Sequence, residues 1–140
     1  AMISSTEPSR VNGGILAVDD NQGFLFTLEL IISQAFPKVP FHGVTNGFAA
    51  GTLVERFHPA VVLLDLQMPG LDGTEVCRWL RESPAGHGLH IAALTAHSDD
   101  PLRVAAFKAA GGDRVFPKPL DEKELIAYIR ASLAVPAAIA

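Results

Sequence analysis

The sequence is poor in cysteine, in aromatic residues and in charge, and each shortage argues against a class of protein. Cys77 is the only cysteine, so an internal disulfide is impossible and a reducing, cytoplasmic setting is favoured. No apolar run approaches the length of a membrane span, and no stretch at the start reads as a signal peptide. The net charge of −4 argues against direct binding of nucleic acid by this domain.

Hydrophobic residues, by contrast, make up 49% of the 140 residues. A chain of this length and composition can build one domain with a substantial core and is too short for two ordinary ones. We expect the folded domain to span residues 14–133. Residues 1–13 are polar and without periodicity, which indicates a flexible N-terminal segment, and residues 134–140 read as a tail or the start of a linker.

The most informative stretch is AVVLLDLQMPGLDG, residues 60–73. Residues 61–64 form a short, unbroken apolar run bounded by turn residues, which is typical of a strand buried on both faces. Asp65 then lies at the carboxyl end of a central strand, where open α/β sheets bind their ligands. A carboxylate at this position is a nucleophile, a metal ligand or a helix cap.

Strand-like and helix-like stretches alternate five times along the chain. The predicted strands are residues 14–18, 41–44, 61–64, 91–94 and 115–116, and the predicted helices are residues 24–36, 49–57, 74–81, 102–110 and 121–133. We place the strand at 41–44 at an edge of the sheet. The alternation predicts an α/β fold, with a doubly wound, parallel, five-stranded sheet and helices on both faces.

Polar residues follow four of these strands. Asp19 and Asp20 follow the first strand, Asp65 the third, Thr95 the fourth and Lys118 the fifth. Carboxyl ends of parallel strands share one edge, so all five side chains should enter one crevice. Three carboxylates tolerate one another beside a divalent cation, and oxygen ligands without Cys or His suit Mg²⁺ better than zinc. With an ammonium and a hydroxyl nearby, the set suits phosphoryl transfer to a carboxylate.

Four pieces of the sequence together resemble the receiver domain of two-component response regulators. They are Val18-Asp19-Asp20, the string LDLQMPGLDG at 64–73, Leu94-Thr95-Ala96 and Lys118-Pro119. The resemblance covers roughly residues 14–133 and implies a flavodoxin-like (βα)5 fold with strand order 2-1-3-4-5. It also implies a partner, a sensor histidine kinase or a phosphotransfer protein, that donates the phosphoryl group.

The same resemblance implies roles for individual residues. Asp65 would accept the phosphoryl group, and Thr95 and Lys118 would contact its oxygens. Asp20, Asp65 and the backbone carbonyl of Gln67 would bind Mg²⁺, while Asp19 would act mostly through water. The Lys118–Pro119 peptide is expected to be cis. Such a domain catalyses its own phosphorylation and dephosphorylation but turns over no external substrate.

Two departures from the family pattern concern switching. Val115 stands three positions before Lys118, where an aromatic residue is common, and Phe116 should point to the other face of the strand. The span from Thr95 to Lys118 also looks about one residue longer than expected. Because valine is short and stiff, we expect the loop at 96–101 and the fourth helix to carry the change. The expected output face combines the fourth helix, fifth strand and fifth helix.

Other interpretations stay open at the level of sequence. Asp19 or Asp20 could cap a helix instead of binding metal. The chain could be a phosphatase with an aspartyl nucleophile, although Gln67 stands where such enzymes usually carry a second acid. It could also be a pseudo-receiver that acts only as an interaction module. His97 is the one histidine expected at the rim of the crevice, where it and Gln67 would tune the lifetime of the phosphoryl group.

Overall fold

Five parallel strands form the centre of the fold in the computed structural model, which describes residues 13–134. They are β1 (Ile15–Val18), β2 (Phe41–Val44), β3 (Val61–Asp65), β4 (His90–Thr95) and β5 (Arg114–Pro117). Their spatial order is 2-1-3-4-5, and all four neighbouring pairs are parallel. The flavodoxin-like doubly wound fold is therefore confirmed, with β2 at an edge as predicted.

The helices begin and end within two residues of the predicted limits. They are α1 (Gln22–Ala35), α2 (Ala50–Phe57), α3 (Gly73–Glu82), α4 (Pro101–Ala109) and α5 (Glu122–Ala134). Side-chain oxygens satisfy the free N–H groups at four of the N-termini. Asn21, Asp72, Asp100 and Asp121 supply them for α1, α3, α4 and α5. Since Asn21 caps α1, the acid pair before it is left for another role.

Two hydrophobic clusters sandwich the sheet because side chains alternate between its faces. On one face α1 and α5 pack through Leu28, Ile32 and Ile129. On the other face α2, α3 and α4 pack through a second set, which includes Val54, Leu80 and Phe107. The three central strands, β1, β3 and β4, are buried almost completely, as the apolar run at 61–64 predicted for β3.

A short hairpin, absent from the sequence-based prediction, follows the central strand. Gln67–Met68 pairs with Leu71–Asp72 in an antiparallel ladder, and Gly70 turns between them with φ +73°. The helix α3 then starts at once, close beside β3. A Cβ on Gly73 would overlap the carbonyl oxygen of Asp65, so only glycine lets the helix approach the strand end this closely.

The proposed flexible segment and tail lie almost entirely outside the described residues, at 1–12 and 135–140. Within residues 13–134, no helix combines the length and the apolar character that a membrane span requires.

Candidate functional site

The five polar residues predicted from the sequence do converge at the carboxyl edge of the sheet. Asp65 and Thr95 are the last residues of β3 and β4. Asp19 and Asp20 directly follow β1, and Lys118 directly follows β5. Parallel pairing alone produces this arrangement, because each strand delivers its final residue to the same side of the molecule.

Three carboxylates form the centre of the site. Asp19, Asp20 and Asp65 each offer an oxygen, and these oxygens lie within 4.8 Å of one another. No other group of three or more potential metal ligands occurs among residues 13–134. Asp19 and Asp65 are buried and Asp20 is exposed, so the cluster opens to solvent on one side. Its ligands are all hard oxygens, which suit Mg²⁺.

Asp65 sits in an environment that opposes its ionisation. Burial raises the pKa of Asp65 to about 6, and the charges of Asp19 and Asp20 add to the rise. A hydrogen bond from the backbone N–H of Gln67 and the charge of Lys118 act in the opposite direction. A cation bound among the three acids would favour the ionised form.

Lys118 supplies the positive charge of the site. Its Nζ donates to Asp19 Oδ2 at 2.9 Å and lies 4.0 Å from Asp65 Oδ1. The Lys118–Pro119 peptide is cis, as expected. The ammonium thus pairs with two of the three acids.

Phe24 is a contact of the site that the sequence reasoning missed. The ring of Phe24 lies under the ammonium of Lys118, with 4.3 Å between Nζ and the ring centroid. Phe24 also packs against the hydrophobic cluster of α1 and α5. Its place in the first turn of α1, four residues after Asp20, was the available signal that it faces the crevice.

The hydroxyl of Thr95 makes two hydrogen bonds. Its Oγ1 donates to Oε1 of Gln67 at 2.9 Å and accepts from the backbone N–H of His97 at 3.0 Å. Both predicted rim residues therefore contact the same hydroxyl, Gln67 by its side chain and His97 by its backbone. Their effect on the lifetime of a phosphoryl group stays a prediction.

Comparison with known proteins identifies the family. A family model described as the response regulator receiver domain matches residues 15–130. The chain belongs to the response regulator receiver domain family. It is 41% identical over 119 residues to response regulator MprA of Mycobacterium leprae, and 37% identical over 120 residues to DNA-binding response regulator MtrA of Mycobacterium tuberculosis. Each match covers 85% of this chain and 50% of the relative, so the chain spans about half the length of these relatives.

Solved receiver domains share the fold. That of a DNA-binding response regulator from Colwellia psychrerythraea superposes with a TM-score of 0.80 at 30% identity, covering 87% of this chain and 98% of that one. The receiver domain of sensor histidine kinase PA1611 from Pseudomonas aeruginosa superposes with a TM-score of 0.78 at 26% identity, covering 88% and 98%. That structure is described with a magnesium ion coordinated in its active-site cleft.

A cleft of about 750 Å³ adjoins the acid cluster of this receiver domain. It lies between the Gln67–Asp72 hairpin and α4, and its lining includes Asp20, Met68 and Arg103. The α4 residues that line it are Arg103 and Ala106. Sequence reasoning found neither the cleft nor Arg103, because both depend on how the hairpin and α4 pack.

The two residues that depart from the family pattern lie on opposite faces of β5, as predicted. Phe116 is buried with α5, where its ring meets Tyr128 edge-on at 5.4 Å. Val115 is half-buried against the other cluster, which contains Phe107 of α4. Hence Val115 is the β5 side chain whose packing would change if α4 moved.

Proposed function

We propose that this receiver domain accepts a phosphoryl group on Asp65 from a phosphohistidine of a sensor histidine kinase or a phosphotransfer protein. The observation that carries the proposal is the environment of Asp65, a buried carboxylate with two further acids within 4.8 Å and the ammonium of Lys118 at 4.0 Å. In the transfer, the P–N bond of the donor breaks, its electron pair stays on the imidazole, and a P–O bond to Asp65 forms.

Each neighbouring residue has a role in this step. Lys118 would move from Asp19 towards the phosphoryl oxygens, and Thr95 would donate its hydroxyl proton to one of them. Asp20, Asp65 and the backbone carbonyl of Gln67 would hold Mg²⁺ directly, and Asp19 would act mainly through water. When bound, the cation would neutralise charge on the transferred group. The all-oxygen cluster supports this metal.

The two alternatives have weaker support. A phosphatase with an aspartyl nucleophile would usually carry a second acid two residues beyond Asp65. Gln67 occupies that position, and its side chain is hydrogen-bonded to Thr95. A pseudo-receiver has no need for Asp20, Asp65, Thr95 and Lys118 together, yet all four side chains meet in one crevice. Autocatalysed phosphorylation and dephosphorylation are the chemistry we propose for this domain, without turnover of an external substrate.

We further propose that the phosphorylated domain acts in the cytoplasm on an output through the face formed by α4, β5 and α5. The MtrA relatives are named DNA-binding response regulators and are about twice as long as the matched region. A DNA-binding output is therefore the first candidate. The net charge of −4 argues against recognition of DNA by this domain itself.

Incubation with acetyl phosphate or beryllofluoride tests the proposed phosphorylation. We expect an adduct, seen by intact-mass measurement or NMR, that requires Mg²⁺ and disappears in Asp65→Asn. Asp20→Asn should weaken Mg²⁺ binding measured by calorimetry, and Asp99→Asn, which changes an exposed acid outside the cluster, should behave as wild type. An adduct that persists in Asp65→Asn, or that forms equally well in EDTA, would contradict the assignment.

A further inference from the structure

The hydroxyl of Thr95 has its single proton committed in this structure. Thr95 is 1% exposed, and its Oγ1 donates to Gln67 Oε1 at 2.9 Å. A hydroxyl group has one proton and two lone pairs, and one lone pair already accepts the N–H of His97 at 3.0 Å. The proton therefore cannot serve Gln67 and a phosphoryl oxygen at the same time.

The backbone of Gln67 is held on both sides. Its backbone N–H donates to Asp65 Oδ1 at 3.0 Å, and it pairs with Asp72 in the hairpin. Asp72 in turn caps α3 through the N–H of Thr74 at 2.9 Å. The side-chain amide thus reaches Thr95 from a backbone that is fixed at both ends of the hairpin.

Thr95 also anchors the loop of residues 96–100, which connects β4 to α4. The N–H of His97 is bonded to the Thr95 hydroxyl, and α4 begins four residues later at Pro101. The cleft of about 750 Å³ lies between the hairpin and α4. The hydrogen bond from Thr95 to Gln67 therefore ties the start of this loop to the hairpin, and the hairpin lines the cleft.

We propose that the side chain of Gln67 is a resting-state latch: it holds Thr95 and the 96–100 loop in the unphosphorylated position and competes with the phosphoryl group for the Thr95 proton. The inference rests on the proposed phosphorylation of Asp65 and adds a positioning role for the side chain of a residue whose backbone carbonyl was assigned to Mg²⁺. Switching then exchanges one hydrogen bond for another instead of adding one.

The exchange of the Thr95 hydrogen bond determines how strongly Gln67 affects the binding of a phosphoryl mimic. A ligand shifts a two-state equilibrium only by its differential interaction with the two states, so an acceptor present only in the resting state weakens phosphoryl binding. A neutral hydrogen bond corresponds to about a two- to tenfold change in an equilibrium constant. Removing the latch should therefore strengthen binding of a phosphoryl mimic by about that factor.

The test is a double-mutant cycle between Gln67→Met and Thr95→Val, read by beryllofluoride affinity at saturating Mg²⁺. Methionine keeps the length of the side chain but has no amide acceptor. Because the beryllofluoride adduct is measured at equilibrium, an effect of Gln67 on the rate of attack by water does not enter. Mg²⁺ affinity is measured by calorimetry for each variant, so that beryllofluoride affinities are compared at equal, saturating Mg²⁺ occupancy.

We expect Gln67→Met to bind beryllofluoride about two- to tenfold more tightly than wild type, and the gain to vanish in the Thr95→Val background. Amide NMR shifts of residues 96–100 in unliganded Gln67→Met should move towards the beryllofluoride-bound positions. Equal or weaker binding in Gln67→Met, or the same gain with and without the Thr95 hydroxyl, would overturn the latch while leaving Asp65 phosphorylation in place. If wild type forms no beryllofluoride adduct, the proposed function itself fails, and the latch with it.

Discussion

Asp65 illustrates how one residue can be destabilising for the fold and useful for chemistry. The folded protein raises its pKa from 3.8 to about 6, mainly through burial, so the folded state binds a proton at this group more tightly than the unfolded state does. The resulting contribution to stability is fully present below pH 3.8 and is lost as the pH rises through 6. At neutral pH, ionised Asp65 costs up to about 3 kcal/mol.

Asp65→Asn should therefore stabilise the metal-free domain. In EDTA at pH 7.5 we expect the free energy of unfolding, measured with urea, to rise by about 1–3 kcal/mol. The gain should shrink as the pH is lowered from 6 towards 4. Added Mg²⁺ should stabilise wild type more than Asp65→Asn. Asp99→Asn, an exposed change, provides the control, and a metal-free Asp65→Asn protein that is less stable than wild type would contradict this reading.

Arg81 links α3 to the segments that precede β4 and β5, at the amino ends of these strands and away from the site. From the last turn of α3 its guanidinium donates to the carbonyl oxygens of Gly86 and Leu89, each at 2.8 Å, and to that of Gly111 at 2.9 Å. It also pairs with Asp113 at 2.9 Å, whose carboxylate accepts the N–H of Ile91 in β4. The planar fork of arginine suits this multiple contact, and lysine cannot reproduce it.

Arg81→Met should consequently destabilise the domain by about 2–3 kcal/mol, because it leaves three carbonyl groups and a carboxylate without their donor. Urea unfolding monitored by circular dichroism measures the change. Arg78→Met is the matched control, since Arg78 lies on the same helix, is about half exposed and pairs with Glu75 three residues earlier. If the two variants lose equal stability, the joining role of Arg81 is wrong.

The site and the proposed output face meet at β5, and the 96–100 loop joins β4 of the site to α4 of that face. Thr95 ends β4, and Lys118 follows β5. Val115 on β5 packs against the cluster that contains Phe107 of α4. A pull on Thr95 therefore reaches α4 through the loop that joins them, while the short side chain of Val115 can follow by little more than a methyl group.

We expect beryllofluoride to change backbone amide NMR shifts most strongly in residues 96–116. Smaller changes are expected in α1 and α2, because neither helix is joined to β4 or β5 by a loop at the site. Asp65→Asn treated in the same way should show no such pattern. Large changes in α1 and α2 together with a silent segment at 96–116 would place the switch face elsewhere.

The sequence alone predicted the fold and which residues lie in the crevice. Five alternations of strand and helix require parallel crossovers, and parallel crossovers bring every strand end to one edge. Asp19, Asp20, Asp65, Thr95 and Lys118 could therefore be grouped before any contact was known. Caps such as Asp100 and Asp121 were also predictable, because a cap acts on the two or three residues that follow it.

Only the tertiary structure decided which of these residues contact each other and with which atoms. Lys118 bonds to Asp19, 99 residues away, more closely than to Asp65, and the side chain of Gln67 bonds to Thr95, 28 residues away. Phe24 lies beneath Lys118, and Arg81 of α3 bonds to the segments before β4 and β5. Periodicity and motifs fix which edge a side chain faces, whereas its final partner depends on how helices pack on the sheet and on which donors and acceptors compete for it.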